Sequence, residues 1–214
     1  MPKELPNIKY EDVNKTPTID SDSSLYNIPF EKDGIYFSNL ESRNNFIKGC
    51  ERLVRANDRY KKYISYLKKE IKLDHCQVLR ELTDEDCDIE MHHGPIFTLY
   101  DYCSIMINYY LKKGYPISTF RIADVILDEH RKNRIQVVML STTVHEEVHN
   151  KDIFISTKQA WGNLGKFLRM YKIGLDSDLI EKYNRYMDRS LMMDTNTYDT
   201  LNINPDVYKK RKKD

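Results

Sequence analysis

The four residues Val137-Val-Met-Leu140 are wholly apolar and partly β-branched, and after Ser141 the chain changes to helical spacing. Such a run suits a short buried strand, and a strand that passes directly into a helix fixes where that helix can lie. Ser141 and Thr142 are the expected N-cap residues. On the helix, His145 and His149 stand four apart, so both imidazoles leave one face a turn apart, the spacing with which two side chains grip one metal ion. Upstream, Ile89-Glu-Met-His-His93 runs into Gly94-Pro95, which ends a strand. Neighbours on a strand point to opposite sides, so His92 and His93 can divide the work into ligand and base.

Bulk properties bound the rest. A chain of 214 residues, 40% hydrophobic, buries a real core, and one main domain with appendages is expected. The 34 basic and 33 acidic residues leave a formal net charge of +1, so any binding of nucleic acid must come from local patches. Seven Gly against sixteen Tyr, with abundant Asn, Lys and Ile, fits an AT-rich genome such as those of many bacteriophages, which discounts tyrosine as a functional signal. Cys50, Cys76, Cys87 and Cys103 are scattered with no CxxC pair, which argues against a zinc ribbon and a disulfide framework. No apolar run approaches the roughly 20 residues that cross a bilayer, and the polar start lacks a signal-peptide core. A soluble, intracellular protein with no membrane partner is expected, in the cytoplasm of the host cell if it is phage-encoded.

In chain order, residues 1–38 read as an extended arm rich in Pro, Asp, Ser and Asn, with Tyr26, Ile28, Phe30, Tyr36 and Phe37 as anchors that order against a partner such as a protein. Residues 39–74 read as an N-terminal helix with Phe46, Cys50, Val54, Tyr60, Ile64 and Leu67 recurring on one side. Lys61, Lys62, Lys68, Lys69 and Lys72 fit either a solvated face or a phosphate-contacting surface. Residues 75–155 form the central unit, with an insertion of two helices at about 98–132. Thr98 caps the first and Gly114 stops it, and Ser118 opens the second. His130, at the end of the second, reads as structural or solvent-facing. Glu146 and Glu147 point away from the His145/His149 face. Residues 156–200 read as two packing helices, Ser156 to Met170 and Asp176 to about Met193. Residues 201–214 form a basic tail, including Lys209, Lys210 and Arg211, that suits phosphate binding and solubility equally.

The segment from about Cys87 to Asn150 resembles the HNH nucleases, the group with the ββα-metal (His-Me finger) fold. Glu90-x-His92-His93-Gly-Pro95 is similar to the family's first strand, and Val137-Val-Met-Leu-Ser-x-x-Val-His145-x-x-x-His149 to its second strand and helix. The resemblance implies an α+β, mostly helical fold: a small ββα-metal core with a helical insertion and N- and C-terminal helices. It further implies a metal-dependent endonuclease that hydrolyses DNA. His92, His145 and His149 would hold one divalent ion and His93 would be the general base. Three imidazoles suit zinc, nickel or manganese better than magnesium. The chain departs from the family at Gln136, where the family carries an Asn that holds the base, and Asn133 is a rival for that role. Lys61, Lys62, Lys68, Lys69, Lys209, Lys210 and Arg211 are the expected DNA contacts. The alternative is a catalytically weak or inactive HNH-derived metal-binding module that binds a protein or nucleic-acid partner, for example as a phage structural or accessory protein.

Overall fold

The computed structural model describes residues 31–192. The arm residues Tyr26, Ile28 and Phe30 and the tail residues Lys209, Lys210 and Arg211 lie outside the described residues. The described chain is α+β and mostly helical around one small sheet. Helices α1 (Gly34–Ser38), α2 (Leu40–Ala56) and α3 (Asp58–Lys69) lead to strand β1 (Ile89–His93). Helices α4 (Leu99–Lys113) and α5 (Thr119–Arg131) separate it from strand β2 (Val137–Ser141), which runs directly into α6 (Thr142–Asn150). Helices α7 (Leu164–Tyr171) and α8 (Ser177–Met192) follow. No helix among the described residues is long and apolar enough to cross a membrane.

The two strands pair antiparallel, with His92 opposite Val138 and His93 opposite Val137. β2 is buried at every position, whereas β1 alternates: Ile89, Met91 and His93 are buried, and Glu90 and His92 face the other side. That alternation is the two-residue period of the pleat. Helix α6 packs on both strands, and α2 packs on α4 and α5 on the far side. The core is filled by Phe97, Tyr102, Ile105, Met106 and Phe167 with the β2 side chains.

Several boundaries depart from expectation. The helix expected over 39–74 is two, because Asn57 adopts extended φ/ψ while its side chain caps α3. Competition of a short polar side chain for backbone N–H groups explains a break there. Part of the expected arm is ordered: Gly34–Ser38 is helical and Phe37 packs edge-on to Phe46 at 5.0 Å. The connector before β1 carries core residues, with Cys76, Leu79 and Leu82 fully buried. The helix expected from Ser156 is interrupted. After a 3-10 turn (Thr157–Gln159), Trp161 bonds Val137 through both backbone groups, at 2.8 and 2.9 Å, and extends the sheet edge. Gly162 makes that approach possible: its φ is +113°, and a Cβ would stand 2.2 Å from the Ile135 carbonyl oxygen. Gly162→Ala is therefore expected to cost at least about 1–3 kcal/mol from backbone conformation alone, before the clash is added. Chemical denaturation of the variant against the parent measures it.

Candidate metal centre and the buried histidine pair

Strand alternation divides the two adjacent histidines. His92 shares its side of the sheet with Glu90, and α6 brings His145 and His149 to that side. The ring centroids of His92 lie 4.9 Å from His145 and 5.0 Å from His149, and those of His145 and His149 are 4.6 Å apart. One ligating nitrogen from each lies within 4.8 Å of the others. Nε2 of His145 and Nε2 of His149 are 3.0 Å apart, close to the roughly 3.3 Å that separates neighbouring ligands around a tetrahedral ion with 2.0–2.1 Å bonds. His92 leans over Gly94, where a Cβ would stand 2.9 Å from the imidazole, so the glycine frees the space the ring occupies.

The donor set fits a divalent ion such as zinc, nickel or manganese. Burial, with His145, His149 and Arg55 adding repulsion, pushes the pKa of His92 down to about 3, and burial also lowers that of His149. Rings that are neutral at pH 7 offer lone pairs to a cation. Glu90 Oε2 accepts from His145 Nδ1 at 2.7 Å, which leaves Nε2 as the ligating nitrogen. A carboxylate behind a histidine ligand fixes the ring's tautomer and raises its basicity. The motif alone does not reveal this part of Glu90; its position two residues before His92, hence on the same strand face, is the signal that marks it.

His93 points the other way and is 5% exposed. Tyr60 stacks on it, with centroids 5.9 Å apart and planes 10° from parallel. Its Nε2 lies 2.9 Å from Nε2 of His130, whose Nδ1 lies 2.8 Å from the Ile126 carbonyl oxygen. A carbonyl only accepts, so His130 carries its hydrogen on Nδ1 and its Nε2 is an acceptor. The hydrogen between the rings therefore belongs to His93 Nε2, and His93 Nδ1 keeps an open lone pair. Burial holds both rings neutral, lowering His130 to about 4 and His93 well below the ordinary histidine value.

His130, expected to be structural or solvent-facing, is thus buried and is the hydrogen-bonding partner of His93. Neither residue expected to hold that ring does so. Gln136 is 6% exposed and its Oε1 is buried without a hydrogen-bond partner, while its backbone N–H donates to the Tyr102 hydroxyl at 2.9 Å. Asn133 Oδ1 accepts from Tyr63 at 3.1 Å and from Trp161 Nε1 at 3.3 Å. Ser141 sits at the N-cap of α6 without a side-chain cap bond. Glu146 is exposed, as expected.

The histidines open onto a cleft of about 560 Å³ bordered by His92, His93 and His149. Lys61, Lys62, Lys68 and Lys69 do not border it. Lys61 pairs with Asp58 at 3.8 Å and Lys68 with Asp84 at 2.8 Å on the outer side of α3, and Lys62 lines a separate groove with Tyr63 and Tyr66. Helix α8, expected only to pack, lines the histidine cleft with Lys182, Arg185 and Arg189.

A helical domain with a two-stranded sheet and a three-histidine cluster capable of holding a divalent ion is the class that fold and geometry define. The chain belongs to the bacteriophage G278-like virion protein family, whose profile matches residues 5–214. No curated protein and no solved structure matches it.

Two outcomes follow from the buried pair. In imidazole ¹⁵N spectra, His93 should be the Nε2–H tautomer and His130 the Nδ1–H tautomer, and His130→Leu should release His93 into a mixture. Both folded pKa values lie below the unfolded value of about 6.5, so between about pH 6.5 and pH 4 the unfolded chain binds more protons. Stability should be intact above that window and fall as pH drops through it. The fall should be shallower in His130→Gln, as thermal melts at stepped pH will show.

Proposed function

We propose that this chain is a metal-dependent nuclease of the HNH type that hydrolyses DNA phosphodiester bonds, and that it serves as a component of a phage particle. The observation that carries the reading is the convergence of His92, His145 and His149, built from strand, strand and helix in that order, with His92, His149 and the tautomer-fixed His93 bordering one cleft. His92, His145 and His149 would hold a divalent ion, which would supply Lewis acidity toward a phosphodiester and stabilise negative charge there. Glu90 orients His145 for that task. His93 accepts the proton of the attacking water at Nδ1, the nitrogen left bare by its bond to His130. As His93 becomes cationic, its Nε2–H bond to the neutral His130 becomes charge-assisted and strengthens, so His130 stabilises the charged ring without taking the proton. His130 therefore fills the positioning role that the resemblance assigned to an amide at Gln136.

A second reading has its own support. Membership of a virion protein family, with His93 almost fully buried under Tyr60, favours a metal-stabilised module that binds a protein or nucleic-acid partner without cutting.

Incubating the full-length protein with supercoiled and linear DNA across magnesium, manganese, nickel and zinc decides between them. On the nuclease reading, His93→Ala should lower cleavage by about 10²–10⁴ while metal content and melting temperature stay near those of the parent. His145→Ala should lose both metal and cleavage. His130→Leu should reduce kcat more than it changes KM. A parent protein that binds metal yet cuts no DNA with any of the four ions rejects the nuclease and leaves the binding module.

A further inference from the structure

The three cations of α8 fall at positions i, i+3 and i+7, which is one face of a helix. That face borders the histidine cleft together with Lys151, and no carboxylate lines the cleft. Lys182 is compensated by Asp101 at 2.6 Å, and Arg185 meets Glu181 only at 4.0 Å on the exposed surface, where such a pair holds little of its charge. Among the described residues, Lys151 and Arg189 have no ion-pair partner. In a chain whose formal net charge is +1, this is a local concentration of positive charge.

The face is held firmly. Tyr186 donates to the Ile155 carbonyl at 3.0 Å, and the buried Ser190 hydroxyl accepts from the Thr157 N–H at 2.8 Å. From Lys182 to Arg189 the helix advances about 10 Å, which matches roughly three steps of 3.4 Å along one strand of duplex DNA. The aromatic residues within the patch, Phe154 and Tyr186, are already covered. Phe154 stacks on Tyr186 at 4.6 Å, and the Arg189 guanidinium lies 4.2 Å from its ring centroid. A ring occupied in this way offers no platform for an unpaired base, so the surface suits a continuous phosphate backbone better than single-stranded stacking.

We propose that the Lys182/Arg185/Arg189 face of α8, with Lys151, is a docking track for the phosphate backbone of duplex DNA, leading into the histidine cleft. The track deepens the nuclease reading by naming what positions its substrate, and it moves DNA contact from the lysines of α3 to α8. Binding needs no catalysis, so it can be measured with the full chain in EDTA, using a fluorescein-labelled 20-bp duplex at several salt concentrations. The logarithm of affinity should fall with the logarithm of salt by about 0.9 per phosphate contacted, and Arg185→Gln/Arg189→Gln should flatten the slope by about 2. The Arg185→Lys/Arg189→Lys protein should keep the slope, separating charge from folding. Replacing Lys61, Lys62, Lys68 and Lys69 by Gln should leave it unchanged.

A parent slope unaffected by the Arg→Gln pair, a slope carried by the α3 lysines, tighter binding of the single strand, or no binding at low salt would each overturn the track. Duplex binding with the expected slope, in a protein that cuts nothing with any metal, keeps the track and rejects the nuclease. Cleavage with a slope indifferent to α8 does the reverse.

Discussion

Antiparallel pairing of β1 with β2 is the constraint on which the rest of this structure depends. With His92 opposite Val138 and His93 opposite Val137, the pleat sends the two rings to opposite sides of the sheet. A slip of one residue would exchange them, placing His92 among Tyr60 and Tyr63 and His93 against α6. The register is fixed by burial: β2 has no exposed position, and Ile89 and Met91 are buried on the same side as His93. Trp161 adds a bridge on the other edge of β2, so that strand is held from both sides.

How far the sequence could be read follows from how local each signal is. The strands, the caps of α4 and α5, the stop at Gly114 and the four-residue spacing of His145 and His149 all have short-range signatures, and the structure has them where periodicity and capping chemistry put them, whereas the approach of His92 to that helix face is a long-range contact that the family resemblance implied. The break at Asn57 was harder to read, because apolar spacing continues through it and only the side chain's turn toward the α3 backbone interrupts the helix. Gly162 is silent in the sequence for a related reason. Its value lies in a backbone approach to Ile135, distant in sequence, which no helical pattern displays. His130 and the cations of α8 could not be assigned from spacing, since each acquires its neighbours through tertiary packing: His130 meets a strand 37 residues away, and α8 is brought to the cleft by bonds to Ile155 and Thr157.

The His93–His130 pair illustrates how a polar group survives in a core. Burying two imidazoles costs free energy unless their nitrogens are satisfied. Here three of the four are: His130 Nδ1 by Ile126, and the two Nε2 atoms by each other. The arrangement holds while His130 Nε2 stays unprotonated, because a proton there would leave two donors facing each other, whereas a proton on His93 Nδ1 leaves the bond between the rings in place. Tyr60 and Tyr63 pack edge-on against His130, and Tyr60 also stacks on His93. The fourth nitrogen, His93 Nδ1, carries the remaining lone pair, and it belongs to a ring that borders the cleft.

The same fold therefore keeps two histidine environments a single residue apart in sequence, and their difference is one of solvent. The His92, His145 and His149 group has a part-exposed carboxylate behind it and an opening lined by cations, so an incoming anion can replace the water it loses. A divalent ion held among the three rings would add two positive charges to the field of Arg185, Arg189 and Lys151. Metal and polyanion would then strengthen each other's binding, because each neutralises charge that the other concentrates. In a chain with nearly balanced total charge, the proposed phosphate track would rest on a local potential that Lys151, Arg185 and Arg189 supply without metal and that a bound ion would deepen.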